Sequence, residues 1–172
     1  GNLKKILSEK INIQKKLIKS EKVITKITNL FVKTLESGNS IYICGNGGSA
    51  SDAEHLSTEF LVRLRPKVNR KPYSIINLGM NIPYVTACAN DYSFDDVFSR
   101  SLEAISKPKD LLWVISTSGN SKNIIKVLFA PGSILSQSAF SGVGNFSSNI
   151  PFCVPGWPPS RRACSFGSSD FF

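Results

Sequence analysis

The chain has 172 residues, 41% hydrophobic and 19% charged, which suits one domain with a sizeable core and excludes disorder throughout. Its net charge is +9, yet residues 1–36, with nine Lys against three Glu, lie in a helical pattern with few aromatics and no arginine cluster, so they read as a solvated helix face and not as a nucleic-acid surface. No apolar run approaches the roughly 20 residues of a membrane span, no apolar segment follows the first charges as in a secretory signal, and the scattered Cys44, Cys88, Cys153 and Cys164 form no CxxC pair, which points to a reducing, cytoplasmic setting without a disulfide framework.

In chain order, residues 3–36 read as one long amphipathic helix. Ile6, Ile13, Leu17, Ile24, Ile27, Phe31 and Leu35 form its apolar stripe, with Lys between them, and Gly38-Asn39 stops it. Such a stripe needs a surface to cover it, either the rest of the chain or a partner subunit. A strand at Ile41–Cys44 leads through Gly45-Asn46-Gly47-Gly48-Ser49 into a helix from Ala50 to about Leu64, with Ser49 and Asp52 placed like a capping box. A second strand is expected at Tyr73–Leu78, helices at 81–89 and 93–105, and a third strand at Leu111–Ile115. The last strand enters Ser116-Thr117-Ser118-Gly119-Asn120-Ser121 and another helix. Strand–loop–helix repeated in this way predicts an α/β fold, a parallel sheet with helices on both faces.

Residues 129–172 differ in composition from what precedes them. All 15 Lys lie in the first 128 residues, whereas the last 44 hold ten Ser, five Pro, five Gly and seven of the 11 Phe. No helical or strand period survives past Phe140. The organisation expected is therefore a single domain with an N-terminal helix (1–37), an α/β core (38–128) and an anomalous tail (129–172).

Two loops carry the first chemical signal, since each follows an apolar strand and opens a helix, where open parallel sheets bind ligands. Glycines at 45, 47 and 48 let a ligand approach the backbone. The second loop offers the hydroxyls of Ser116, Thr117, Ser118 and Ser121 beside helix-start N–H groups, a phosphate cup by composition and placement. Neither GxxxxGK[ST] nor GxGxxG is present, which argues against an NTPase P-loop and against dinucleotide binding. His55, the one histidine, stands one turn before Glu59 on the expected helix, so the two side chains share a face and can hold one ion. Asn90-Asp91 reads either as a helix cap or as a polar pair for sugar hydroxyls. Arg63 and Arg65, at the end of the His55 helix, read either as a solvated helix end or as phosphate partners.

Four motifs in order, Cys44-Gly-Asn-Gly-Gly-Ser49, Asp52-Ala53-x-His55-x-x-x-Glu59, Asn90-Asp91-Tyr92-x-Phe94 and Ser116-Thr-Ser-Gly-Asn-Ser121, closely resemble the phosphoheptose isomerases of the sugar isomerase (SIS) domain superfamily. The likeness covers residues 3–128. It implies a flavodoxin-like three-layer sandwich, a homotetramer and one zinc per subunit. The implied reaction converts sedoheptulose 7-phosphate to D-glycero-D-manno-heptose 7-phosphate through an enediol, toward lipopolysaccharide heptose. It also implies that Asn46, Gly47, Gly48, Asn90, Asp91, Ser116, Thr117, Ser118 and Ser121 touch substrate. His55 and Glu59 would bind the metal and act in catalysis, with Glu59 also meeting the sugar. Ketose–aldose isomerisation needs a base, an acid and a stabiliser of the developing oxyanion, and Glu59 supplies the base. The assignment expects the His55–Glu59 pair to face the same crevice as the hydroxyl loop.

The resemblance also implies a C-terminal helix with Arg-(Ile/Leu)-Gln-Glu-x-His, whose Gln and His complete the zinc site. The tail has no histidine. Back-translated and read one nucleotide later, Gly156–Phe166 permits Ala-Gly-Arg-Leu-Gln-Glu-Gly-His-Val-Leu, so a slip of reading frame is one expectation and wrongly assigned residues the other. Two further functions compete: a non-catalytic SIS module that senses a sugar phosphate, and an SIS adaptor that binds a replication initiator. The first could dispense with His55 and Glu59, whose joint presence favours the enzyme.

Overall fold

The structure, a computed structural model, describes residues 2–130. They fall into two compact units, Gly1–Lys33 and a body beginning at Thr34. The expected domain limits beyond residue 130, and the reading of the tail, lie outside the described residues.

The single N-terminal helix expected from the stripe is two helices, α1 (Asn2–Ile18) and α2 (Glu21–Glu36). Between them the Lys19 and Ser20 N–H groups close back on the carbonyls of Lys16 and Leu17. Ser20 then offers its carbonyl to Val23 and Ile24, with Glu21 in the first turn of α2 where an anion is favoured. The stripe steps from Leu17 to Ile24, and the break falls inside that step, so a seven-residue spacing does not register it. None of α1's residues is buried; Leu3, Leu7, Ile11 and Ile18 are among its exposed apolar side chains.

The body is a parallel sheet of β1 (Ile41–Gly45), β2 (Ile75–Asn77) and β3 (Leu111–Ile115), in the order β2-β1-β3. Ile41 pairs with Ile75 on one side and with Leu111 on the other. β1 and β3 are buried along their whole lengths, as a sheet covered on both faces requires. Tyr42, Cys44, Leu112 and Val114 point to a core shared with α4 (Ile82–Asp91), α5 (Val97–Ile105) and α6 (Lys122–Leu128), through Cys88, Phe98, Leu102, Ile124 and Val127. The alternate residues, including Ile41, Ile43 and Trp113, face the other way. α3 (Gly48–Leu61), which contributes nothing to that first core, packs against all three strands.

Other expected boundaries shift for local reasons. α3 begins at Gly48 with Gly47 at its N-cap and no side-chain cap. Ser49 is therefore a buried residue of the first turn and not the cap of a capping box. α3 ends at Leu61, so Arg63 and Arg65 stand on the exposed segment beyond it. β2 covers only three of the six residues expected. α4 runs on to include Asn90 and Asp91 as its last two residues. The stretch 93–105 divides into a 3-10 turn, Phe94–Asp96, whose start is capped by the Ser93 hydroxyl accepting from the Asp95 N–H, and then α5.

The amino end of the strands, away from the ligand loops, is tied by Asp110. Its carboxylate accepts the N–H of Ser40 and the N–H of Lys107, both at 2.8 Å. Nearby, the Tyr42 hydroxyl donates to the Ile105 carbonyl.

Candidate active site

The chain leaves β1, crosses to β2 on one side, and later returns to β3 on the other. The carboxyl ends of β1 and β3 thus flank a topological switch point, where open α/β sheets place their ligands. The first loop leaves β1 at Gly45. A Cβ built there would come within 2.6 Å of the Ser49 carbonyl oxygen, so only glycine lets the first turn of α3 fold over the strand end. Gly47 has φ +53°, the left-handed region. The Asn46 carbonyl accepts the N–H groups of Ser49 and Ala50 and starts the helix.

The second loop leaves β3 and turns at Gly119 (φ +64°). The Ser116 hydroxyl oxygen accepts the Gly119 N–H at 3.0 Å, and that of Ser118 accepts the Asn120 N–H at 3.2 Å. Each of these oxygens is pinned by its own loop while its O–H hydrogen stays available to donate. Thr117 and Ser118 are exposed.

Asn46 and Asn123 tie the first loop to the first turn of α6, the helix that the second loop opens. Each side-chain amide donates to the other's oxygen, both at 2.9 Å, across 77 positions of sequence. Asn123 is 2% exposed, and its oxygen also accepts the Ile124 N–H in the first turn of α6.

His55 and Glu59 lie on α3, with imidazole Nε2 and carboxylate Oε1 3.7 Å apart. Two donors on one tetrahedral zinc at ordinary bond lengths stand about 3.4 Å apart, so this pair fits two corners of such a site. Among the described residues no group of three His, Cys, Asp or Glu side chains could hold a metal. The rise of a helix puts His55 about 10 Å and Glu59 about 16 Å along α3 from Gly48, and the His55 side chain is 73% exposed. One chain therefore ties the first loop to the start of the helix that the second loop opens, and pairs His55 with Glu59 two to three turns along α3 from the first loop, with the imidazole exposed and the carboxylate half-buried. At the end of α4 the Asn90 amide donates to the Asp91 carboxylate at 2.8 Å on the surface.

Two contributors escape motif reading. Asn123 follows the hydroxyl loop; its signal was an amide among the apolar positions of a helix start. Arg70, in the segment after α3, donates to the main-chain carbonyls of Glu59 and Phe60 and stacks on the Tyr73 ring, 5.0 Å from its centroid. It closes the helix end that holds Glu59.

With this geometry in place, comparison with known proteins is decisive for the family. The SIS domain family matches residues 7–131, and the chain belongs to it. The phosphoheptose isomerase of Helicobacter pylori strain P12 is 43% identical over 123 residues, covering 72% of this chain and 63% of that protein. The phosphoheptose isomerase of Shewanella halifaxensis is 46% identical over 122 residues, covering 69% of this chain and 61% of that protein. The chain thus spans about three fifths of the length of these relatives. Among solved structures, phosphoheptose isomerase GmhA from Neisseria gonorrhoeae superposes with a TM-score of 0.59 at 30% identity, covering 74% of this chain and 67% of that one. A phosphoheptose isomerase from Francisella tularensis gives 0.63 at 31% identity, covering 74% and 68%. The parallel α/β architecture read from the sequence agrees with these neighbours. The family match ends at residue 131, close to where the lysines stop.

Proposed function

We propose that this chain is a ketose–aldose isomerase that converts sedoheptulose 7-phosphate to D-glycero-D-manno-heptose 7-phosphate for lipopolysaccharide heptose. The observation that carries this reading is the junction at the switch point. The glycine loop and the hydroxyl loop are bonded through Asn46 and Asn123, and the helix leaving the first loop carries His55 and Glu59. The relatives' shared name supports the substrate.

In this mechanism Ser116, Thr117, Ser118 and Ser121 hold the phosphate, and their binding energy orients the distant sugar end. Gly47 and Gly48 let the sugar approach the backbone, and Asn46, Asn90 and Asp91 address its hydroxyls. The Glu59 carboxylate takes the C1 proton of the ketose while the C2 oxygen takes up a proton from water, giving the enediol; Glu59 then returns its proton to C2 as the O1 hydroxyl gives its proton back to water, leaving the C1 aldehyde. His55 and Glu59 would hold zinc, which when bound supplies Lewis-acid polarisation of the carbonyl.

A homotetramer accompanies this reading. α1 exposes its apolar residues and the His55 imidazole of the His55–Glu59 pair is exposed in one chain, so a neighbouring copy has both a stripe to cover and a half-site to complete. A cytoplasmic, membrane-free setting fits the described residues, none of whose helices is long and apolar enough to cross a membrane.

The test compares the 172-residue chain with one carrying the alternative-frame tail, using sedoheptulose 7-phosphate and elemental analysis. The alternative-frame chain is expected to form the aldose and retain zinc, and Glu59→Gln in it to lose about a hundredfold or more of the rate. The 172-residue chain is expected to be metal-poor and weakly active. No turnover by either chain, or an unchanged rate in Glu59→Gln, overturns the reading. The coding nucleotides of residues 156–166 test the frame slip directly.

A further inference from the structure

We propose that Asn123 is a positioning residue: its amide pair with Asn46 holds the glycine loop in register with the hydroxyl loop so that both meet one sugar phosphate. This rests on the sugar-phosphate reading above. Asn123 is buried to 2% exposure and has no access to a ligand, so it acts through Asn46. Both ends of its amide are engaged. The oxygen accepts from Asn46 Nδ2 and from the Ile124 N–H, and the nitrogen donates to Asn46 Oδ1. The Ile124 N–H fixes which end is oxygen, and two parallel bonds forbid rotation about either one.

A polar pair with one partner buried is a poor choice for cohesion alone, since apolar groups of the same shape hold two elements together at similar or lower free energy. What the amide pair adds is direction. Asn46 is the residue whose carbonyl starts α3, and it immediately precedes Gly47, at φ +53°. Fixing its side chain to α6 fixes where the N–H groups of Gly47 and Gly48 point. Preorganised donors of this kind are worth most in a partly dry crevice.

The test uses Asn123→Asp and Asn123→Ala in the full chain, each measured against the unsubstituted chain at the same pH. When ionised, the carboxylate introduced by Asn123→Asp has no hydrogen to give where Asn123 Nδ2 donated, so one of its oxygens faces the Asn46 oxygen. When protonated, it restores the cyclic pair, and burial raises its pKa into an accessible range. By calorimetry, Asn123→Asp is expected to bind sedoheptulose 7-phosphate about tenfold or more weakly at pH 8 and to recover most of that loss at pH 5. Asn123→Ala is expected to be weak at both. Amide hydrogen exchange at residues 45–50 and 116–124, corrected for intrinsic rates, reads the brace without any ligand: protection falls in both loops together at pH 8 and returns at pH 5 in Asn123→Asp alone. If the unsubstituted chain fails to bind the sugar phosphate with either tail, the isomerase reading falls while exchange still judges the brace. Wild-type protection in Asn123→Asp at pH 8, or an equal loss at both pH values, overturns the proposal.

Discussion

The Arg70 guanidinium donates to the main-chain carbonyl of Glu59 at 2.6 Å, 11 residues away in sequence, and to that of Phe60 at 2.8 Å. The Tyr73 N–H also bonds the Phe60 carbonyl, so the segment after α3 folds back and caps the helix that bears the Glu59 carboxylate. A cation at a helix C-terminus is favourable both for its hydrogen bonds and for the axial dipole. Arg70→Ala is expected to lower stability by about 1–2 kcal/mol. Arg70→Lys should recover only part of this, because an ammonium lacks the planar fork that reaches two carbonyls. Urea denaturation checks both, and equal stability of Lys and Arg at this position would refute the bridging role.

Gly45 sits where strand meets helix with no room for a methyl group. The obstacle is the backbone of Ser49, which cannot rotate aside. Gly45→Ala is expected to cost about 1–3 kcal/mol and to move the start of α3, with an effect larger than Gly48→Ala, where a Cβ meets nothing within 4 Å. Thermal unfolding of the two variants ranks them.

Asp110 holds two N–H groups at the amino end of the strands. Asp110→Ala leaves both without their acceptor and is expected to destabilise by about 2–4 kcal/mol, while Asp110→Asn retains one acceptor oxygen and should lose less. Chemical denaturation of the pair decides it, and sugar-phosphate affinity should change little in whatever fraction stays folded.

Alkaline stability carries a sign fixed by Tyr84. Burial, reinforced by the neighbouring Cys88, pushes its phenol up to about 12. The folded state therefore holds this proton more tightly than the unfolded chain does, whose tyrosines titrate near 10. Its contribution is complete below pH 10 and declines as pH rises from 10 to 12. Tyr84→Phe is expected to flatten the fall in melting temperature over that window. An identical fall in both proteins would show that other groups govern it.

Much of this architecture was legible locally. Leu111–Ile115 reads as a buried strand because five consecutive apolar residues with turn signals on both sides permit little else, and it forms with those limits. The His55–Glu59 pairing follows from a four-residue step on a helix, a property of the chain's own rise and turn. The break at Lys19–Ser20 was not legible, since a seven-residue apolar step continues through it. Nor was the cap of α3: Ser49 has the chemistry of a capping residue, but the glycines before it let the helix start earlier.

From the sequence alone came the strands, the two loops and the side chains each helix can show on one face, because these depend on neighbours within a few positions. Tertiary structure alone decided that β1 lies between β2 and β3, that Asn46 meets Asn123 across 77 positions, and that Arg70 returns to Glu59. Such contacts depend on which strands become neighbours and how closely a helix start can approach a strand end, and no local period encodes either.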